Sequence, residues 1–288
     1  MHYLLALFCV VVWGVTFVST KVLIQHGLTP EEIIVIRYGL AYLCLLPFSK
    51  RWYAGSIRRE FTMLVLGLLG GTLYFLTENY AVKFTLTTNV SLITSTTPLI
   101  TTLLVALCYR SAHIGSRTII GSLLACVGVF LVVFNGRFML QLNPLGDLLA
   151  FCSALSWSLY SLLFMRVGKQ YSTLFLTRKL FFYGIITTLP FTLMGGGLNL
   201  FTLYALTLRP VLFNILFLGL VASLGCFYFW GVSVKHIGTV SANNLIYFSP
   251  VFTLVAAFIV LAEPVSWFSL LGLLFTIGGV WLAATPRS

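Results

Sequence analysis

The sequence predicts an all-α integral membrane protein with ten transmembrane helices arranged as two inverted five-helix repeats. Three observations carry that expectation. Hydrophobic residues fill 59% of the 288 positions and charged residues 8%, against about 45–50% and about 25% in an ordinary soluble domain. The apolar runs are continuous and long enough to span a bilayer, without the alternation of barrel strands. The second half of the chain repeats residue types of the first at a nearly constant offset. With a mean hydropathy of +1.03 in 32.0 kDa, too few charges remain to coat a soluble globule, which excludes that class.

Taken in order, apolar runs between turn and charge signals place spans at 3–24, 31–48, 61–81, 87–109, 117–135, 146–166, 172–194, 210–231, 239–261 and 266–284. The first has no basic segment ahead of it and no small-residue cleavage site before Lys21, so it reads as a retained span and not a signal peptide. Spans 2 and 3 flank the basic connection 49–60, and spans 7 and 8 flank 195–209 with Gly195, Gly196 and Gly197; neither connection could fold alone. Pro144 precedes span 6, and spans 4 and 9 carry a mid-span proline, Pro98 and Pro250, each expected to kink its helix and serve as a hinge.

The net charge of +11 would suggest nucleic acid in a soluble protein, but the bases fall mainly between apolar runs, so no nucleic-acid partner is expected. With the amino terminus inside, Lys50, Arg51, Arg58, Arg59, Arg110, Arg117, Arg166, Lys169, Lys235 and Arg287 face the cytoplasm, against Lys83, Arg137 and Arg209 outside. This bias predicts a multi-pass plasma-membrane protein with both termini cytoplasmic. Cys9, Cys44, Cys108, Cys126, Cys152 and Cys226 lie in or beside apolar runs without ligand spacing, so neither disulfides nor metal is indicated.

Residues 67–98 and 219–250 superpose at an offset of 152, matching Gly67 to Gly219, Lys83 to Lys235, Thr87 to Thr239 and Pro98 to Pro250. Gly128 matches Gly279 at 151, Trp13 matches Trp157 at 144, and Arg37 matches Arg178 at 141. The two units are read as 1–141 and 142–288. Because five spans is an odd number, the second unit enters the membrane from the opposite side. Such inverted repeats build secondary transporters, with a substrate site near the midplane and alternating access by rocking of the halves.

Several segments carry a family resemblance: Glu78-Asn79-Tyr80-Ala81-Val82-Lys83-Phe84-Thr85, Thr88-Asn89-Val90-Ser91-Leu92-Ile93, Thr97-Pro98-Leu99, Trp13-Gly14-Val15-Thr16-Phe17, Arg37-Tyr38-Gly39-Leu40-Ala41 and Glu263-Pro264. Over essentially the whole chain, the sequence resembles EamA-like members of the drug/metabolite transporter superfamily. That resemblance implies a membrane carrier, with a bacterial inner membrane as its expected home. It leaves the cargo open among amino acids and other metabolites, drugs, and sugar phosphates or nucleotide sugars. The second unit departs from the pattern with His236-Ile237-Gly238, and Trp230 stands where the first has Glu78.

Ionisable groups inside the membrane are the first functional candidates, since a lone charge at the centre costs about 2.5–3.5 kcal/mol on insertion scales. Glu78, Lys21 and Arg37 reach similar depth from the outer side. Two readings stand: Glu78 binds an ammonium group or exchanges a proton, or a static ion pair bolts spans 1 to 3 together, with Lys21 snorkelling outward. Arg178 and Lys179 have no nearby acid in their own half and are expected to satisfy helix carbonyls or lipid phosphates. Asp147 reads as a helix amino-terminal charge.

Ser91, Thr94, Ser95, Pro98 and Thr101 share a face of span 4, as do Asn243, Tyr247 and Pro250 in span 9. Trp13 shares a face with Thr16, and Trp157 stands one turn before Tyr160; these could wall an amphipathic pocket. The substrate-binding set is therefore Trp13, Thr16, Tyr74, Glu78, Ser91, Ser95, Trp157, Tyr160, Asn243 and Tyr247. The opposing reading gives the hydroxyl residues a packing role.

No enzyme constellation is recognisable: His2, His26, His113 and His236 sit at span ends or loops, and the three glycines lack the lysine of a phosphate loop. No cofactor or ATP site is expected, so a gradient must drive transport, with protons a candidate coupling ion. The expected function is export of small metabolites such as amino acids across the bilayer. Exchange, uptake of another organic solute, or a passive channel remain as alternatives.

Overall fold

The structure, a computed structural model, describes residues 1–48, 52–108, 115–134, 143–261 and 267–284. Lys50, Arg51, Arg110, His113, Arg137, Glu263, Pro264, Arg287 and the expected boundary at 141 lie outside them. Among the described residues every element is helical, and six helices are long and apolar enough to cross a membrane: His2–Gln25, Ile57–Phe84, Pro144–Val167, Thr173–Met194, Arg209–Ile237 and Thr239–Val260. Thr97–Cys108, Ser116–Gly128 and Leu274–Ala283 are shorter apolar helical stretches. This is a multi-pass membrane protein.

Helix α1 (His2–Gln25) leads to α2 (Pro30–Leu45), whose start is set by a capping box: Thr29 Oγ1 accepts from the Glu32 amide while the Glu32 carboxylate accepts from the Thr29 amide. The next long helix has three parts, α3 (Ile57–Gly67), a widened π-type stretch at Leu68–Leu73, and α4 (Tyr74–Phe84). Its counterpart runs α11 (Arg209–Leu216), a π-type stretch at Phe217–Gly225, and α12 (Cys226–Ile237). Shifted by 152, residues 68–73 fall on 220–225, inside the second widened stretch. Such widened turns re-aim the side chains that follow them. The first also admits Tyr160, because a Cβ on Gly70 would lie 2.4 Å from its Cδ2.

The expected mid-span prolines fall where the helical path is interrupted. The chain breaks between α5 (Thr87–Thr94) and α6 (Thr97–Cys108), and again through a 3-10 turn, Leu245–Phe248, between α13 (Thr239–Asn244) and α14 (Ser249–Leu261). Pro98 and Pro250 each take the second position of the new helix, where the missing N–H has no helical partner to lose. The segment 195–209 also differs from the plain connection expected, since it folds into α10 (Leu200–Ala205). Asn199 caps that helix, accepting from the Thr202 amide at 3.0 Å, and the Thr202 hydroxyl donates to Glu32.

Helices of one half pack chiefly on helices of the other. α1 lies against α12 and α14, α4 against α8 (Pro144–Val167), and α2 and α3 against α9 (Thr173–Met194). The most extensive pairing joins α7 (Ser116–Phe134) to α15 (Trp267–Ala284). Its backbones approach so closely that a Cβ on Gly128 would sit 2.3 Å from the Thr276 nitrogen, and one on Gly279 2.4 Å from the Ala125 nitrogen. Small residues here replace hydrophobic drive with direct backbone packing.

Lys179 corrects the expectation of a carbonyl or lipid partner. Its ammonium pairs with Glu60 of α3 at 2.9 Å, and the Tyr183 hydroxyl and the Ala54 amide also donate to that carboxylate, at 2.5 and 2.7 Å. The acid comes from the other half, which a search for partners within one repeat could not find. Arg178 lies over the Trp52 ring, 4.3 Å from its centroid.

Candidate functional site

A narrow cavity opens at the middle of the bundle where both chain breaks meet. It is lined from α1 by Val10, Trp13, Thr16 and Phe17, and from α4 by Tyr74, Phe75 and Glu78. Thr94 and Thr97 flank the first break, Ile246 lies within the second and Ser249 follows it, and Trp157 and Phe227 close the wall. At the offset of 152, Thr94 corresponds to Ile246, Thr97 to Ser249 and Phe75 to Phe227, while Trp13 and Trp157 correspond at 144. Positions matched by these sequence offsets therefore face one space.

Each element delivers its side chain for a local reason. Trp13 Nε1 donates to the Ala222 carbonyl at 3.1 Å, a carbonyl inside the second widened stretch. Trp157 Nε1 donates to Asn243 Oδ1 at 3.2 Å, and Asn243 is fixed in turn by its own donation to the Thr239 carbonyl at 2.9 Å. The two indoles meet edge to face with centroids 5.2 Å apart, and Trp230 and Tyr74 pack on them. Glu78 is buried and accepts from the Tyr74 hydroxyl at 2.9 Å, one turn earlier on the same helix. The result is an aromatic chamber with one carboxylate in its wall.

Of the residues expected to bind substrate, Trp13, Thr16, Tyr74, Glu78 and Trp157 line this cavity. The others stand behind it. Tyr160 packs on Trp157, with ring centroids 5.1 Å apart, and Asn243 positions the same indole. Ser91 donates to Thr253 Oγ1 at 3.1 Å, and Thr253 donates to the Gly14 carbonyl at 2.9 Å, so this relay ties α5, α14 and α1 together. Ser95 and Tyr247 are fully buried in the packing around the two breaks. Val10, Phe17, Phe75, Thr94, Thr97, Phe227, Ile246 and Ser249 were not singled out from the sequence as binding residues. Phe75, Thr94 and Thr97 pair with Phe227, Ile246 and Ser249 at the offset of 152, so recognising one of each pair would have marked the other.

Of the bases expected to cluster with Glu78, Arg37 lies within electrostatic reach of it. Lys21 Nζ donates to the Val82 carbonyl at 2.7 Å, neutralising the carbonyl end of α4. Arg37 donates from Nε to Ser223 Oγ at 2.9 Å and stacks over Phe75, 4.3 Å from its centroid. Phe75 thus separates a buried guanidinium from the chamber it helps to line.

The EamA-like transporter family profile matches residues 1–134 and 144–285. This chain belongs to the EamA-like transporter family. Among similar proteins, one named an uncharacterized transporter in Archaeoglobus fulgidus is 29% identical, across 99% of this chain and 98% of its own length. A protein of Salmonella typhimurium named "probable amino-acid metabolite efflux pump" is 25% identical, across 96% of this chain and 93% of its own. A solved crystal structure shares the fold with a TM-score of 0.73 and 17% identity, covering 98% of this chain and 96% of that one. The family and these relatives are transporters of the membrane, which places the central chamber in a protein that moves solutes.

Proposed function

We propose that this EamA-like transporter is a secondary exporter of small ammonium-bearing metabolites, amino acids among them, across the plasma membrane. The observation that carries the reading is the composition of the chamber: Glu78 is set among Trp13, Tyr74, Phe75, Trp157 and Phe227, with no basic side chain among the described lining residues. A cationic head gains from the carboxylate and from the ring faces together, while an apolar side chain gains from the aromatic walls. The Thr16, Thr94, Thr97 and Ser249 hydroxyls supply partners for a carboxylate or hydroxyl on the solute.

The open space is ≈ 40 Å³, room for about three waters at about 10–15 Å³ each. A metabolite therefore enters only when the halves move apart. Ten membrane-crossing helical passes in two inverted units, 1–141 and 142–288 with both termini cytoplasmic, supply that motion. The matched widened stretches, the matched breaks before Pro98 and Pro250, and the α7–α15 pairing support this arrangement. Hinging falls at the breaks, where a few element-terminal residues can absorb the change in backbone angles.

The test is the extracellular metabolite profile of cells expressing the chain or its Glu78→Gln variant at matched membrane abundance. Enrichment of amine-bearing solutes outside the cells, lost in the variant, is the expected result. Wild-type and variant profiles that agree would remove Glu78 from the pathway. A linear, unsaturable solute or ion flux in liposomes would replace the carrier with a channel.

A further inference from the structure

A second cavity of ≈ 380 Å³ lies at the end of the bundle where α8 and α12 finish and α13 begins. It shares no residue with the central chamber, and its size falls within the range of small-ligand sites. Phe164, Met165 and Val234 make an apolar wall, and Lys169, Lys235 and Thr239 supply the polar edge. Lys235 is held in place by donating to the Tyr171 carbonyl at 2.6 Å, which leaves two of its three ammonium hydrogens for another acceptor. The Thr239 side chain is 3% exposed and its hydroxyl finds no partner among the described residues. A buried hydroxyl left unpaired is costly, so a group that accepts from it would be bound favourably. Gly238, at φ +85°, leaves the space beside it open, with no atom within 4 Å of where a Cβ would stand.

The charge here is one-sided. His236 adjoins Lys235 and stacks on His2, with ring centroids 3.8 Å apart. The five described acids all lie elsewhere: Glu31 with Tyr80, Glu32 with Thr202, Glu60 with Lys179, Glu78 with Tyr74, and Asp147 in the first turn of α8. The opposite end of the bundle repeats only part of this arrangement. Lys83 and Thr87 match Lys235 and Thr239, but the offsets of 141 and 144 place Leu28 or Gln25 where Lys169 stands.

We propose that this cavity binds a phosphate group, carried by an anionic lipid headgroup or by a free phosphorylated solute. Two ammonium groups and a hydroxyl arrayed around one space suit a group with several acceptor oxygens, and lysine serves phosphate as a point charge. The apolar wall beside them accommodates the hydrocarbon next to such a headgroup. The site is independent of the cargo chamber and of what that chamber carries.

The full chain in phosphatidylcholine nanodiscs doped with phosphatidylglycerol, analysed by native mass spectrometry, tests the lipid source. Thermal unfolding with inorganic phosphate in undoped nanodiscs tests the free one. Lys169→Gln removes an exposed charge without touching the packing, Thr239→Val removes the hydroxyl, and Lys83→Gln at the other end is the control. Wild type should retain phosphatidylglycerol, or respond to inorganic phosphate, about tenfold more tightly than Lys169→Gln or Thr239→Val, while Lys83→Gln matches wild type. Response to the lipid alone assigns a headgroup, and response to inorganic phosphate assigns a solute. Equal behaviour of wild type and Lys169→Gln in both arms, or an equal loss in Lys83→Gln, overturns the proposal.

Discussion

Replacing Lys179 by methionine strands a carboxylate inside the bundle. Both oxygens of Glu60 accept from the Lys179 ammonium at 2.9 Å, and the Lys179 and Glu60 side chains are only 8% and 10% exposed. Breaking a buried pair by removing one partner costs about 3–5 kcal/mol. The Tyr183 hydroxyl and the Ala54 amide still donate to Glu60, which puts the expected loss at the lower end, about 3 kcal/mol. At about 2–4 °C per kcal/mol for a chain of this size, the unfolding midpoint should fall by about 6–12 °C. Glu60→Gln combined with Lys179→Met removes both charges and keeps an oxygen to accept from Tyr183 and Ala54, so most of the loss should return. Thermal unfolding of the purified protein in detergent, run as a double-mutant cycle, reads both effects. A Lys179→Met midpoint within about 2 °C of wild type would refute the reasoning, as would a double variant that is no better than the sum of the singles.

Other outcomes follow from the same packing. Asn243→Leu takes the acceptor from the Trp157 indole and should raise the transport KM about tenfold with little change in protein abundance, measured by saturation of export. Gly128→Val drives a side chain into the backbone at Thr276 and Gly272 and should cost about 1–3 kcal/mol, read as a lowered unfolding midpoint. Cys9 Sγ lies 3.4 Å from the Cys226 carbonyl, across the α1–α12 contact between halves. Mild oxidation of a variant retaining only those two cysteines should stop export reversibly; full transport with the cross-link in place would show that α1 and α12 do not separate. If Glu78 carries a proton, export by wild type should depend on external pH and export by Glu78→Gln should not, which liposomes at fixed membrane potential can measure.

Composition and periodicity alone determined that the chain lives in a membrane as helices. Burial in lipid leaves backbone groups no other partner, and that constraint acts on each segment by itself. Matched residues such as Trp13 and Trp157 or Pro98 and Pro250 could likewise be counted along the chain. The paired tryptophans and the search for charge inside the membrane led to part of the chamber, through Trp13, Thr16, Glu78 and Trp157. What the sequence could not decide is which polar group meets which. Lys21 satisfies the carbonyl end of α4, and Lys179 found its acid in the other half of the chain. Ser91 and Asn243 carry the side chains of a lining yet hold other side chains in place, Ser91 through Thr253 and Asn243 through Trp157. The widened stretches before Tyr74 and Cys226, which turn Phe75, Glu78 and Phe227 toward the centre, left no periodic mark. Hydrophobic pattern reports how each helix meets lipid, whereas these contacts depend on the rotation and depth of one helix against another, and only the assembled bundle sets those.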